Sequence, residues 1–235
     1  MTLSTTVRIG TTEFADPQAA LDQLDLEFAG KGLLPGRNPA GWPGEWLDEV
    51  VKAAPVWRDA LADGLLERAQ RLIHEDGYVI LRLLGGGLKS QRLAGQLLDV
   101  IAEKRLPAEL FAEAFALAAR CVTLGAPAGL LAQVQKLLPD HPEALAVWLS
   151  IEFAAALEHL PDALQRADPA GAQTLAVAVM ANTEGLEILA QVAPKLPEPV
   201  RNVVGKVLQA GLNTSLARDK ALVRRIDKEW PDRPR

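Results

Sequence analysis

Proline and glycine cut this chain at intervals, and that punctuation limits what it can become. Pro107, the Gly125-Ala126-Pro127 triplet, Pro139 to Pro142, Pro161, Pro169, Pro194, Pro197, Pro199 and Gly211 separate segments of helical periodicity. Proline is tolerated in the first turn of a helix and breaks its interior. Spaced this way, the breaks leave helices of roughly 10 to 20 residues joined by short links. Short links favour antiparallel neighbours. The expected fold is therefore mainly all-α: stacked antiparallel helical hairpins, α-solenoid-like, behind a short N-terminal strand and loop arm.

The apolar stripes carry the same message. Trp57, Leu61, Leu65, Ala69 and Leu72 recur one turn apart, in a helix expected to end at Gly77. Leu93, Leu97, Leu98 and Ile101 form a second stripe, and Phe111, Phe115, Ala118 and Val122 a third. Further helices are predicted over 128–138, 142–160, 169–181, 184–193, 198–210 and 214–230. Upstream, TTVRIGTTEF alternates β-branched and polar residues and predicts one short strand. Asp16-Pro17 starts a helix, with Leu21, Leu24 and Phe28 on one face and Gly30 as its stop. Residues 30–44 are a Gly- and Pro-rich loop, so the expected division is an arm at 1–45 and a helical body at 46–235.

The stretch LLPDHPEALAVWL, residues 137–149, resembles the junction between tetratricopeptide repeats. The resemblance extends over about residues 108–169, with Asp168-Pro169 as a second junction. Pro142 and Pro169 lie 27 residues apart, against about 34 in that family. The resemblance implies a degenerate helical-repeat body and, as a family tendency, protein binding.

Bulk properties exclude several classes. The 235 residues are 49% hydrophobic and 23% charged, which fits a soluble globular chain. The net charge of -5 argues against nucleic acid as the partner, because phosphate neutralisation requires a concentrated basic surface. Cys121 is the one cysteine, so neither an intramolecular disulfide nor a cysteine-based zinc site can form, and its apolar surroundings predict a buried thiol. No stretch approaches the roughly 20 apolar residues of a membrane span, so no membrane insertion is expected. The N-terminus shows no signal-peptide pattern, which makes the cytoplasm the expected location.

In YVILRLLGGGLKS, residues 78–90, an apolar run enters three glycines followed by Lys89 and Ser90. A phosphate-binding loop places glycine directly before its lysine. Here Leu88 holds that position, so the register fails. The expected role is a glycine hinge between helices, or a short buried strand ending in a turn, with Ser90 capping the next helix. A looser anion site on Gly86, Gly87, Lys89 and Ser90 is the functional alternative. His74, His141 and His159 lack metal-ligand spacing. The pairs Glu45/Glu49 and Glu109/Glu113 lie in first helical turns, where negative charge is favourable. Glu67 and Arg71 read as an exposed ion pair. No catalytic residue, cofactor or metal site is expected.

Two surfaces remain as candidate partner sites. WPGEW sets Trp42 and Trp46 about a Pro-Gly turn, and aromatic anchors dominate interfaces when they fill pockets. The alternative is that these rings clamp the loop to the body. Residues 216–235 carry 7 basic and 4 acidic groups, and Lys220, Arg224 and Lys228 form a stripe at i, i+4, i+8. Val223, Ile226 and Trp230 supply the opposite, apolar face. The expected function is a non-enzymatic interaction protein, an adaptor, scaffold or regulatory subunit, whose partner is another protein or another copy of itself. The alternatives are an immunity protein or antitoxin, and an enzyme using a helical cleft for a small or phosphorylated ligand.

Overall fold

The computed structural model describes residues 6–34, 41–71, 74–123, 126, 128–213 and 220–233. Among these residues the chain forms fourteen α-helices and a single two-stranded antiparallel sheet, so the fold is mainly all-α with a short N-terminal strand arm. Two compact units divide at Leu117 and Ala118, inside α6 (Phe111–Val122).

The first unit begins with a hairpin rather than the single strand expected: β1 (Val7–Ile9) pairs with β2 (Thr12–Phe14). Gly10 sits at φ 59 and Thr11 does not share its positive φ, the pattern of a II′ turn that matches the twist of two short strands. Val7, Ile9 and Phe14 face inward. Helix α1 (Pro17–Phe28) starts where Asp16 accepts from the Ala19 amide at 2.8 Å. It ends in a Schellman motif. Gly30 takes φ 66, Lys31 N–H donates to the Leu26 carbonyl, and Gly30 N–H donates to Glu27.

Helix α2 (Leu47–Ala53) packs on β1, and α3 (Arg58–Ala69) packs on α1. Arg68 forks onto both Asp25 oxygens at 2.7 Å and bonds the Gly64 carbonyl. Asp25 holds the Arg68 pKa above its ordinary value through this hydrogen bond, against the opposing effect of burial.

Two sequence expectations fail at the next joint. Helix α3 ends at Ala69, not Gly77, and Leu72 lies outside the described residues. Gly77 instead lies within α4 (His74–Leu84), where a Cβ would come within 2.6 Å of Leu110 Cδ1. It is a close-approach glycine and not a stop. The apolar run YVILRLL is helical throughout, not a strand. Ile80, Leu81 and Leu84 are buried, while Tyr78 and Arg82 share the exposed side. Helix α5 (Gln91–Ala102) brings Arg92 onto Asp63 of α3, and Gln96 joins the same carboxylate.

The second unit is built from helices packed on helices. Helix α7 (Leu130–Leu137) precedes a region expected as one helix over 142–160. That region forms a 3-10 turn at Pro142–Ala144, α8 (Leu145–Ile151) and α9 (Phe153–Leu157). The break falls at Glu152, which leaves the helical region at φ -138, ψ 76. Just before it, the Ser150 hydroxyl donates back to the Ala146 carbonyl, a local bond that bends helices. Then follow α10 (Leu160–Arg166), α11 (Pro169–Val179), α12 (Thr183–Val192), α13 (Glu198–Leu212) and α14 (Lys220–Glu229). The part of the expected helix 214–230 before Lys220 lies outside the described residues.

From α10 to α12, each helix touches its successor and the next but one: α10 on α11 and α12, α11 on α12 and α13, α12 on α13 and α14. Tight glycine contacts permit this. A Cβ on Gly185 would lie 2.7 Å from the Val179 carbonyl oxygen, and one on Gly211 2.9 Å from the Met180 carbonyl oxygen. No helix among the described residues is long and apolar enough to cross a membrane.

Candidate functional site

The glycine loop holds an internal anion. Asp48 of α2 accepts a hydrogen bond from the Gly87 amide at 2.8 Å. A Cβ on Gly86 would lie 2.7 Å from the same Asp48 oxygen. The Ser90 hydroxyl accepts from the Leu93 amide at 3.1 Å and so caps α5. The loop therefore has the geometry of an anion cradle, with a carboxylate of the same chain seated on the Gly87 amide. A phosphate at Gly86, Gly87, Lys89 and Ser90 would have to displace Asp48.

WPGEW separates its two tryptophans. The Glu45 amide bonds back to the Trp42 carbonyl, with Pro43 and Gly44 between them and Gly44 at φ 76. This is a type II turn, and its sequence is the one that turn prefers. Glu27, buried on α1, accepts from the Gly44 amide at 2.8 Å and from the Trp46 indole at 2.9 Å. The Trp46 ring stacks on Phe14, centroids 5.0 Å apart and planes 8° from parallel, and is 1% exposed. A side chain at Gly44 would strike Leu24 and Leu83, so the turn lies flat against α1 and α4.

Trp46 is accordingly a clamp with no surface to offer a partner. Trp42, at the other end of the turn, is 47% exposed, and Arg82 of α4 lies over its ring at 4.8 Å. Tyr78, one helical turn before Arg82, is 45% exposed. Arg82 and Tyr78 escaped the sequence reading because their run was compatible with a strand. Their four-residue spacing was the available signal.

On α14, Lys220, Arg224 and Lys228 are all exposed, as the stripe requires. Leu222, Ile226 and Trp230 are buried; Val223 is half-buried, so Leu222 takes the inward place expected of it. Arg225 donates to Glu187 of α12 at 2.6 Å and fixes the rotation of α14 on that helix.

The remaining candidates read as structural. His159 stacks on Trp148 at 4.9 Å, His141 precedes the 3-10 turn at Pro142–Ala144, and the His74 side chain lies outside the described set. Glu67 pairs with Arg71. Glu45, Glu49 and Glu109 are exposed, and Cys121 is buried. Among the described residues no cluster of three His, Cys, Asp or Glu side chains could hold a metal ion. Burial raises the pKa of Glu143, with the nearby Asp168 carboxylate adding to the effect; its own backbone, His141 and Arg166 oppose it. An open polar groove of about 840 Å³ runs beside α3 and α5, where Arg71, Arg92 and Arg105 meet Asp63, Glu67 and Asp99. Comparison with protein-family models, curated proteins and solved structures gave no match.

Proposed function

We propose that this chain is a non-enzymatic protein–protein interaction module, an adaptor, scaffold or regulatory subunit. The observation that carries the reading is the exposed stripe of Lys220, Arg224 and Lys228 on a helix whose opposite face is buried. Three cations held in line on a rigid backing suit an acidic protein surface, for which charge complementarity supplies specificity and a fast encounter. The helix order in the second unit supports it too. Contacts to the successor and the next but one are what stacked helical hairpins make, and such stacks serve as binding surfaces. The tetratricopeptide-like junction at 137–149 belongs to the same reading.

The test is co-purification from the native source with wild type and with the triple variant Lys220→Glu, Arg224→Glu, Lys228→Glu. The expected result is a partner that the variant loses and that high salt releases. A chain that stays monomeric and partner-free at cellular concentration overturns the reading. A narrower form is an immunity protein or antitoxin, favoured by the exposed Trp42; loss of protection in Trp42→Ala with unchanged circular dichroism supports it. The groove beside α3 and α5 favours a second reading, a small-ligand protein. It requires a thermal shift with a metabolite or nucleotide, since a ligand that binds only the native state raises its apparent stability.

A further inference from the structure

We propose that Trp42, Tyr78 and Arg82 form a docking site for a carboxylate carried between apolar side chains on a segment of a partner protein. This goes beyond the α14 stripe and uses a different surface, in the first unit.

Arg82 is the cation of the site. Four other arginines on or beside α3 and α5 are committed: Arg68 to Asp25, Arg71 to Glu67, Arg92 to Asp63, and Arg105 to Glu103 and Gln70. Among the described residues Arg82 contacts no carboxylate and no hydrogen-bond acceptor. Its guanidinium carbon lies 4.8 Å from the centre of the Trp42 ring. An indole against one face of a guanidinium displaces water there and leaves the N–H donors in the plane. A planar carboxylate is the acceptor that matches this fork bidentately.

The flanks select what carries the carboxylate. Trp42 and Tyr78 are both nearly half exposed; Arg82 lies over the Trp42 ring and stands one helical turn after Tyr78 on α4. Trp, Tyr and Arg are the residue types that dominate binding energy at protein interfaces. One aromatic ring against the cation and a second a helical turn away suit a Glu or Asp with apolar neighbours.

The site is also held in place before a partner arrives. Trp42 begins a type II turn tied by Gly44 to the buried Glu27 and packed against Leu24 and Leu83. Arg82 and Tyr78 stand on a helix whose other side is buried. Little ordering remains to oppose binding, which is where preorganised sites gain affinity.

The experiment is an NMR titration of the 235-residue chain with three acetylated, amidated tripeptides: Phe-Glu-Phe, Phe-Gln-Phe and Phe-phosphoserine-Phe. The readouts are the Trp42 indole N–H and the Arg82 Nε–H resonances, with the Trp46 indole as an internal control of the fold. The Glu peptide is expected to shift both reporters and to bind about tenfold more tightly than the Gln peptide, as a charge-assisted bidentate pair requires. Arg82→Gln should erase that difference with the Trp46 signal unmoved, and Arg82→Lys should restore only part of it. Equal response to the Glu and Gln peptides overturns the proposal, as does a Glu response that survives in Arg82→Gln. Tighter binding of the phosphoserine peptide overturns it in favour of phosphate. Shifts confined to α14 overturn it as well. The α14 triple variant should bind the Glu peptide like wild type, so this test and the co-purification can fail separately.

Discussion

The two units differ in where their excess charge and their tightest approaches to backbone lie. Residues 1–117 carry 12 basic and 17 acidic groups and residues 118–235 carry 13 of each, so the whole net charge of the chain resides in the first unit. That unit uses its charge. Glu27, Asp25, Asp48 and Asp63 each bind a group 17 to 43 residues away in sequence. In the second unit, α11, α12 and α13 press backbone against backbone at Gly185 and Gly211. A polar stitch tolerates a shifted neighbour and fails when its charge goes. A close-packed crossing tolerates surface changes and fails when a methyl is added.

The largest expected effect breaks the second unit at such a crossing. Gly185→Ala drives a Cβ against the Val179 carbonyl, an obstacle that cannot rotate away. A loss of about 2 to 4 kcal/mol is expected in chemical denaturation. Hydrogen exchange should localise that loss to α11 through α13. Glu27→Ala is the counterpart in the first unit. It leaves the Gly44 amide and the Trp46 indole without acceptors and should cost about 2 to 3 kcal/mol. The change should redden Trp46 fluorescence as the ring gains water. If exchange rises equally in both units for either variant, the contrast between them is lost.

Each unit also offers a smaller effect. Lys104 holds φ 53 in a Schellman motif, with its N–H on Ile101 and that of Arg105 on Val100. Glycine takes that conformation freely, so Lys104→Gly should stabilise the first unit by about 1 kcal/mol, read as a higher denaturation midpoint. Glu143 gives a pH signature in the second unit. Its pKa is raised in the folded chain, so the folded state binds its proton more tightly than the unfolded one. Its contribution is intact below the ordinary glutamate pKa of about 4.3 and is lost as pH rises through the higher folded value. Glu143→Gln should therefore melt higher than wild type at pH 7, and the gap should close in acid. A constant difference across that range would exclude ionisation as the cause.

The helices were legible because a buried stripe repeats near every 3.6 residues whatever lies beneath it, as Leu93 to Ile101 shows. Legibility stopped where two structures share one pattern. YVILRLL is apolar enough for a buried strand or a buried helix. Only its length with the preceding residues, and the exposed Tyr78 and Arg82, decide for the helix. Gly77 looked like a stop because sequence cannot show Leu110 lying across it. At WPGEW the turn was readable, but the fate of each ring was not. Burial of Trp46 depends on Glu27 and Phe14, 19 and 32 residues upstream. The Arg82 contact with Trp42 spans 40 residues and left no local mark.

The reach of the Glu27 hydrogen bonds has a kinetic consequence. Its two partners are 17 and 19 residues downstream, and the hairpin that stacks on Trp46 lies immediately upstream. Residues 7 to 46 thus contain a closed circuit of contacts whose loops are short. Closing short loops costs little chain entropy, and contacts of low sequence separation form early. Arg68 must bridge 43 residues to reach Asp25, and it joins an assembly whose first part can already be in place. On these loop lengths the N-terminal segment is expected to form ahead of the packing of α3 and α4, so that the turn presenting Trp42 is set before the helix presenting Arg82 arrives.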